Sequence, residues 1–255
     1  MLGRAMAMAR PRLYVQPGSH PCAAVEAALA LKSIAYDRVD LLPLSALAIG
    51  PLRWGGTTVP GMRLGGERLV GSRTIIHRLD ALVPDPPLLP AAGSPSYARV
   101  LEAERWGDEV LQAVPRRVIN IALVRRPRAM ESYAADSKLP LPIAPLRPAL
   151  PLVARLLKIR AGTTDEAARA DLAALPSQLQ RIDGWIAEGL LGSDRPNAAD
   201  LQIGSSVRLL MSMLDLRPLI EAHPASALTR YFPPMAGEVP AGVLPAAWLA
   251  SAAPA

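Results

Sequence analysis

Apolar and polar positions change their rhythm along the chain, and the change marks out the elements. Residues 12–16 alternate and stop at Pro17-Gly18, which predicts a short strand closed by a turn. The Ala- and Leu-rich run from Cys22 to Leu31 predicts a helix, with Ser19 placed to cap it and Pro21 in its first turn, where a missing N–H is tolerated. Residues 35–40 read as a second strand, so the first two strands belong to a strand-helix-strand unit and run parallel. Two further strand-like runs, 57–64 and 67–70, flank Gly65-Gly66, a pair that accepts the positive φ angles of a tight hairpin. After Gly71, Ser72 reads as the cap of a helix over 73–82, with Ile75, Ile76 and Leu79 on one face.

Beyond residue 95 the period-two pattern disappears. Residues 96–124 carry Val100, Leu101, Trp106, Val110, Leu111 and Ile119 at helical spacing, with a kink expected at Pro115. Helices are also expected over 152–159, 164–191 (bent at Pro176), 198–213 and 217–222. Proline clusters between residues 82 and 95 and between 139 and 151, which predicts loops. The expected organisation is a mixed α/β domain over 11–83, a linker over 84–95, an all-helical domain over 96–232 and a Pro/Ala-rich tail over 233–255.

Composition narrows the function classes. With 255 residues, 51% hydrophobic and 20% charged, the chain can bury two small cores, and wholesale disorder is excluded. A net charge of +6 invites a nucleic-acid reading. The cations are scattered among acids, however, and a single Phe leaves few platforms for stacking bases, so no nucleic-acid partner is expected. Cys22 is the single cysteine, which rules out an internal disulfide and a C-x-x-C pair and points to a reducing, cytoplasmic setting. The apolar part of the first ten residues is too short for a secretory signal, and they read as a disordered leader. The uncharged stretch over 239–255 is broken by Pro240, Pro245 and Pro254 and is too short to span a bilayer, so no membrane partner is expected either.

Two places can carry chemistry. Gly18-Ser19-His20-Pro21-Cys22 lies where a strand meets a helix, and a helix N-terminus with a hydroxyl beside it stabilises an anion such as a thiolate. The plainer reading of Ser19 is an ordinary cap, and that of Cys22 a small buried apolar residue. Val59-Pro60 opens the third strand and leaves backbone groups free to pair with an extended peptide; the plainer reading is an edge strand. His20, His77 and His223 lack metal-ligand spacing, so no metal site is expected, and no G-x-S-x-G elbow supports a hydrolase. Trp106 at helical spacing fits core packing.

Ser19-x-Pro-Cys22, Gly50-Pro51, Val59-Pro60 and Gly71-Ser72 before a helix together resemble the amino-terminal domain of glutathione transferases, closest to the serine-type, theta-like members. Leu191-Gly192-x-x-Arg-Pro196-Asn197-x-x-Asp200-Leu201 is similar to that family's buried capping-box helix, a folding element. The resemblance implies a thioredoxin-like domain followed by a helical bundle, and a cytoplasmic homodimer of detoxification type paired through the helix after Ser72 and the first helix of the second domain. Glutathione or a related thiol is the implied co-substrate, added to a small electrophile or used to reduce one, with no further cofactor. Ser19 is then the thiol-activating residue. Val59 before a cis Pro60 holds the cysteinyl part, and Ser72 the γ-glutamyl carboxylate. The family's acidic or amide residue before that serine is Gly71 here, and its basic residue before Val-Pro is Thr58; Arg53, Trp54 or Arg73 are the candidate substitutes. Arg105, Trp106 and Tyr133 are candidates for the second-substrate pocket. The two departures favour a rival, a non-catalytic binding or scaffold protein that kept the fold and lost the thiol site.

Overall fold

The computed structural model describes residues 10–139, 142 and 144–250. The expected leader therefore falls almost wholly outside the described residues, as does the end of the tail. Strand β1 (Arg12–Val15), helix α1 (His20–Leu31) and strand β2 (Asp37–Asp40) form the first unit, followed by α2 (Ala46–Arg53), β3 (Gly61–Leu64), β4 (Glu67–Val70) and α3 (Ser72–Leu82). The four strands lie in the order β2-β1-β3-β4. β1 is parallel to β2 and antiparallel to β3, and β3 is antiparallel to β4 with Leu64 opposite Glu67 across the turn. Gly65 takes φ +59° in that turn, the conformation glycine supplies without steric cost. This is the thioredoxin-like arrangement. Its core joins Leu13, Val15, Val25, Leu29, Met62, Leu64, Ile75, Ile76 and Leu79, so α1 and α3 cover one face of the sheet.

The helices after residue 94 are α4 (Pro95–Trp106), α5 (Ala113–Arg125), α6 (Ala129–Tyr133), α7 (Leu150–Arg160), α8 (Asp165–Ala187), α9 (Ala198–Met211), α10 (Arg217–Glu221) and α11 (Ala246–Ala250), with 3-10 turns at Ala144–Ala149 and Pro224–Tyr231. Helix α9 is the axis of the assembly. Ala198 and Leu201 join the core of the sheet domain, while Ile203, Val207 and Leu210 join that of the bundle. Its start is fixed by the expected capping box. Asn197 Oδ1 accepts from the Ala199 and Asp200 amides, and Asp200 Oδ2 accepts from the Asn197 amide at 2.9 Å. Asp200 is fully buried and also accepts from the Gly192 amide at 2.7 Å.

Three local expectations are corrected. The break between α4 and α5 is a π-helical segment, Gly107–Leu111, and Pro115 sits in the first turn of α5, where its missing N–H disturbs nothing. Gly71 occupies the N-cap of α3 at φ +87°, and Ser72 is the first helical residue with no side-chain cap bond. The third strand covers only Gly61–Leu64 and is interior to the sheet, not an edge. Among the described residues no helix is long and apolar enough to cross a membrane.

Candidate functional site

A cavity of about 710 Å³ opens between the sheet domain and the helices. One wall is built from loop ends: Gly18 to Pro21 after β1, Leu42 to Leu47 after β2, Thr57 to Val59 before β3, and Gly71-Ser72 after β4. The opposite wall comes from the π segment and from α5, α6 and α7, including Ile119, Leu123, Met130, Val153 and Leu157. Of the residues singled out in the sequence, Ser19, Val59, Ser72 and Tyr133 meet in this one cavity.

Ser19 stands at the N-cap position of α1 with extended backbone, yet its hydroxyl makes no cap bond. One of the two amides from which a capping oxygen accepts is missing here, because the second helical residue is Pro21. The hydroxyl instead lies by the Cys22 thiol. Burial pushes that thiol up to about 12, and hydrogen bonding with Ser19 only partly counters it. Cys22 is therefore a closed, protonated core thiol, and Ser19 is the polar group left at the mouth of the helix.

Val59 precedes a cis peptide bond to Pro60. Because β3 begins at Gly61, the Val59 peptide groups lie outside the sheet ladder. Two contacts hold this loop. Trp54 Nε1 donates to the Thr58 carbonyl at 3.0 Å, and Arg160 Nη2 of α7 donates to the Thr57 carbonyl at 2.7 Å. Trp54 is fully buried, stacks on Tyr14 at 4.7 Å and lies so close to Gly61 that a Cβ there would come within 2.3 Å of its ring. Sequence reading proposed Trp54 as a stand-in for a missing basic residue. Its place is under the loop, as a support.

Ser72 is 2% exposed, lines the cavity, and its Oγ has no protein hydrogen-bond partner. Native proteins seldom leave a buried hydroxyl so placed, and a group of this kind at the start of a helix is suited to receive an anionic ligand. His20 shares the property. It is buried, its Nε2 is unpartnered, and burial, reinforced by the charge of Arg116, lowers its pKa to about 3. The imidazole is neutral at physiological pH.

The remaining candidates lie elsewhere. Arg53 is exposed at the end of α2. Arg73 faces the fully buried Glu104, donating from Nε to Oε2 at 3.2 Å, and the same oxygen meets His77 Nε2 at 2.7 Å. Arg105 is exposed on α4, and Trp106 packs edge-on against Trp185 at 5.3 Å with Arg181 over both rings. Tyr133 does border the cavity, but its hydroxyl is engaged with Ser212 Oγ at 2.7 Å and burial pushes its pKa up to about 12. It contributes a ring, not an acid. Sequence reading missed the polar row Asp108, Gln112, Arg116 and Asn120, all on the cavity wall. Their four-residue spacing was visible, but not which way that face turns.

Residues 13–87 match the family profile described as Glutathione S-transferase, N-terminal domain. The first domain is thus a glutathione S-transferase N-terminal domain. Over both domains the fold is that of solved glutathione S-transferases. That from Sinorhizobium meliloti 1021 is 16% identical with a TM-score of 0.59 and covers 95% of this chain and 99% of its own. That from Rhodospirillum rubrum F11 is 20% identical, with a TM-score of 0.56 over 87% of this chain and 85% of its own. A glutathione S-transferase-I bound with lactoylglutathione is 16% identical, with a TM-score of 0.57 over 88% and 98%. At these identities the likeness is one of fold. No curated protein sequence matches significantly. Within this glutathione transferase fold, the cavity lies between the thioredoxin-like and helical domains.

Proposed function

We propose that the protein is a glutathione transferase-like enzyme that binds glutathione or a related thiol along the loop-built wall and joins it to an electrophile held against the helical wall. The observation that carries this reading is the convergence of Ser19, Val59 and Ser72 on one cavity, with the Ser72 hydroxyl buried and unpartnered inside it. In this reading Ser72 receives the γ-glutamyl carboxylate, the Val59 peptide pairs with the cysteinyl part, and Ser19 donates to the thiolate. The N-terminus of α1 adds positive potential there. A thiol held so ionises more readily, since a hydrogen bond to the charged form lowers its pKa. The same reading takes the protein to be a cytoplasmic homodimer. That the glutathione S-transferase-I noted above was solved with lactoylglutathione supports a glutathione-type ligand in this fold.

One observation favours the rival scaffold reading: Gly71 brings no side chain to the ligand's amino group, and its φ of +87° disfavours any replacement. Turnover separates the two. Ser19→Ala should lower the rate with glutathione and a general electrophile by roughly ten- to a hundred-fold, the loss of one charge-assisted hydrogen bond. Glutathione affinity and melting temperature should change little, because the Ser19 hydroxyl caps nothing. Unchanged turnover per folded molecule, or a wild type that neither binds glutathione nor turns it over, would sink the proposal.

A further inference from the structure

Apart from Tyr133 and Arg160, the helical wall of the cavity carries its polar side chains in one row. Asp108 in the π segment and Gln112, Arg116 and Asn120 along α5 follow one another at four-residue steps, and all four line the cavity. Its first three members are joined by hydrogen bonds with a consistent sense. Arg116 Nη2 donates to Gln112 Oε1, and Gln112 Nε2 donates to Asp108 Oδ1 at 3.0 Å. Gln202 Nε2 of α9 donates to that same oxygen at 3.1 Å. The acidic end of the row is thus answered by two neutral amides. Its basic end is not answered in kind, because Asp108 acts on Arg116 only through space and, among the described residues, no carboxylate forms an ion pair with it.

A guanidinium has five N–H donors in a planar fork, and one side-chain oxygen uses few of them. Arg116 is exposed and lines the cavity, yet enough protein surrounds it that desolvation lowers its pKa. A cation in that position gains most from an anion brought to it inside the cavity. Arg160, the other cation on the lining, is engaged with the Thr57 carbonyl. Arg116 also acts electrostatically on His20, the neighbour of Ser19.

We infer that Arg116 receives the carboxylate of the second substrate, so that this cavity selects electrophiles with an acid group on an apolar body. The apolar body rests on Leu123, Met130, Val153 and Leu157, and the acid group points toward the α1 end of the cavity, near the reacting sulfur. The inference deepens the enzyme reading above and rests on it for the word substrate. The anion site itself is a separate physical claim.

The test uses two matched pairs of compounds. Calorimetric titration of 3-nitrobenzoate and 3-nitrobenzamide into the full chain measures the site without any reaction. Wild type should bind the acid roughly ten- to a hundred-fold more tightly than the amide. Arg116→Gln should abolish the difference, Arg116→Lys should keep part of it, and melting curves would show that both variants fold. Turnover of 4-chloro-3-nitrobenzoate and 4-chloro-3-nitrobenzamide with glutathione then reads the reaction. The thiolate forms a C–S bond at the ring carbon, chloride leaves with the C–Cl electrons, and the thiol proton goes to solvent. Rates divided by the uncatalysed rate of each compound should favour the acid, and Arg116→Gln should remove that preference with the KM for glutathione unchanged. Equal binding of acid and amide by wild type overturns the inference. So does a loss of glutathione affinity in Arg116→Gln with acid binding intact, which would assign the guanidinium to a carboxylate of the tripeptide. Acid-selective binding without turnover would refute the enzyme reading and uphold the anion site; turnover without acid selectivity would do the reverse.

Discussion

Ser72→Ala should make the protein more stable and bind glutathione worse, and the two effects come from one atom. The Ser72 Oγ is buried at the start of α3 with no protein partner. An unsatisfied buried hydroxyl costs about 1–3 kcal/mol, and Ala also has the better helix propensity by a few tenths. Deleting one oxygen returns a little of this through lost packing, which leaves a net gain of about 1 kcal/mol. For a chain of this size that is a rise of about 2–4 °C in melting temperature. If the hydroxyl donates to a carboxylate of glutathione, its removal should weaken binding by roughly ten- to a hundred-fold. Differential scanning calorimetry of the free protein gives the first quantity and isothermal titration with glutathione the second. A melting temperature lowered by more than about 2 °C, together with unchanged affinity, would show that the hydroxyl serves the fold and would refute the reasoning.

Three further outcomes follow from the buried groups. His20, held near 3, stays neutral in the folded chain while the unfolded chain binds a proton as pH falls below 6.5. Its contribution to stability is therefore present above pH 6.5 and lost on acidification, at up to about 1.4 kcal/mol per pH unit. Urea titrations between pH 7 and 4 should show a steeper loss in wild type than in His20→Gln, and parallel curves would contradict the shift. Cys22, pushed up to about 12 by burial, should resist iodoacetamide at pH 8 until the protein unfolds; alkylation of the folded chain within minutes would count against that closed environment. Asp200→Ala orphans the amides of Gly192 and Asn197 and should cost about 2–5 kcal/mol in urea unfolding, and a loss below 1 kcal/mol would mean that the box is dispensable.

The fold was largely legible because its signals are local. Alternation over 12–16, the glycine pair at 65–66 and the Asn197-x-x-Asp200 spacing each settle a short stretch without help from the rest of the chain. Helix α2 was not legible: its eight residues contain Gly50 and Pro51, which read as a loop, and it is held by tertiary contacts around Trp54. The π segment was hidden for a related reason. Pro115 is the conspicuous breaker nearby, whereas a widened turn at Gly107–Leu111 has no composition of its own. In the site, Ser19 stood out at a junction of strand and helix, whereas the roles of Val59 and Ser72 came from the resemblance to glutathione transferases. Arg105 and Trp106, named for the second-substrate pocket, are not on the cavity lining, and Trp106 packs on Trp185 as its helical spacing had allowed. Arg116 went unnamed because its meaning depends on which face of α5 the sheet domain meets, and no short-range pattern encodes that.

The π segment makes this cavity sensitive to chain length. A helix advances about 100° per residue, so an extra residue accommodated in one wide turn resets the phase of everything downstream while leaving α4 where it was. Gly107 fixes the widened turn against α9, since a Cβ there would come within 2.9 Å of Ile203. Removing a single residue between 107 and 111 would swing the far half of the rod by about a quarter turn, replacing Gln112 and Arg116 on the cavity wall with neighbours that now face other helices or solvent. In a scaffold of this kind, one-residue insertions and deletions between two helices can diversify what the cavity accepts faster than point substitutions within its lining.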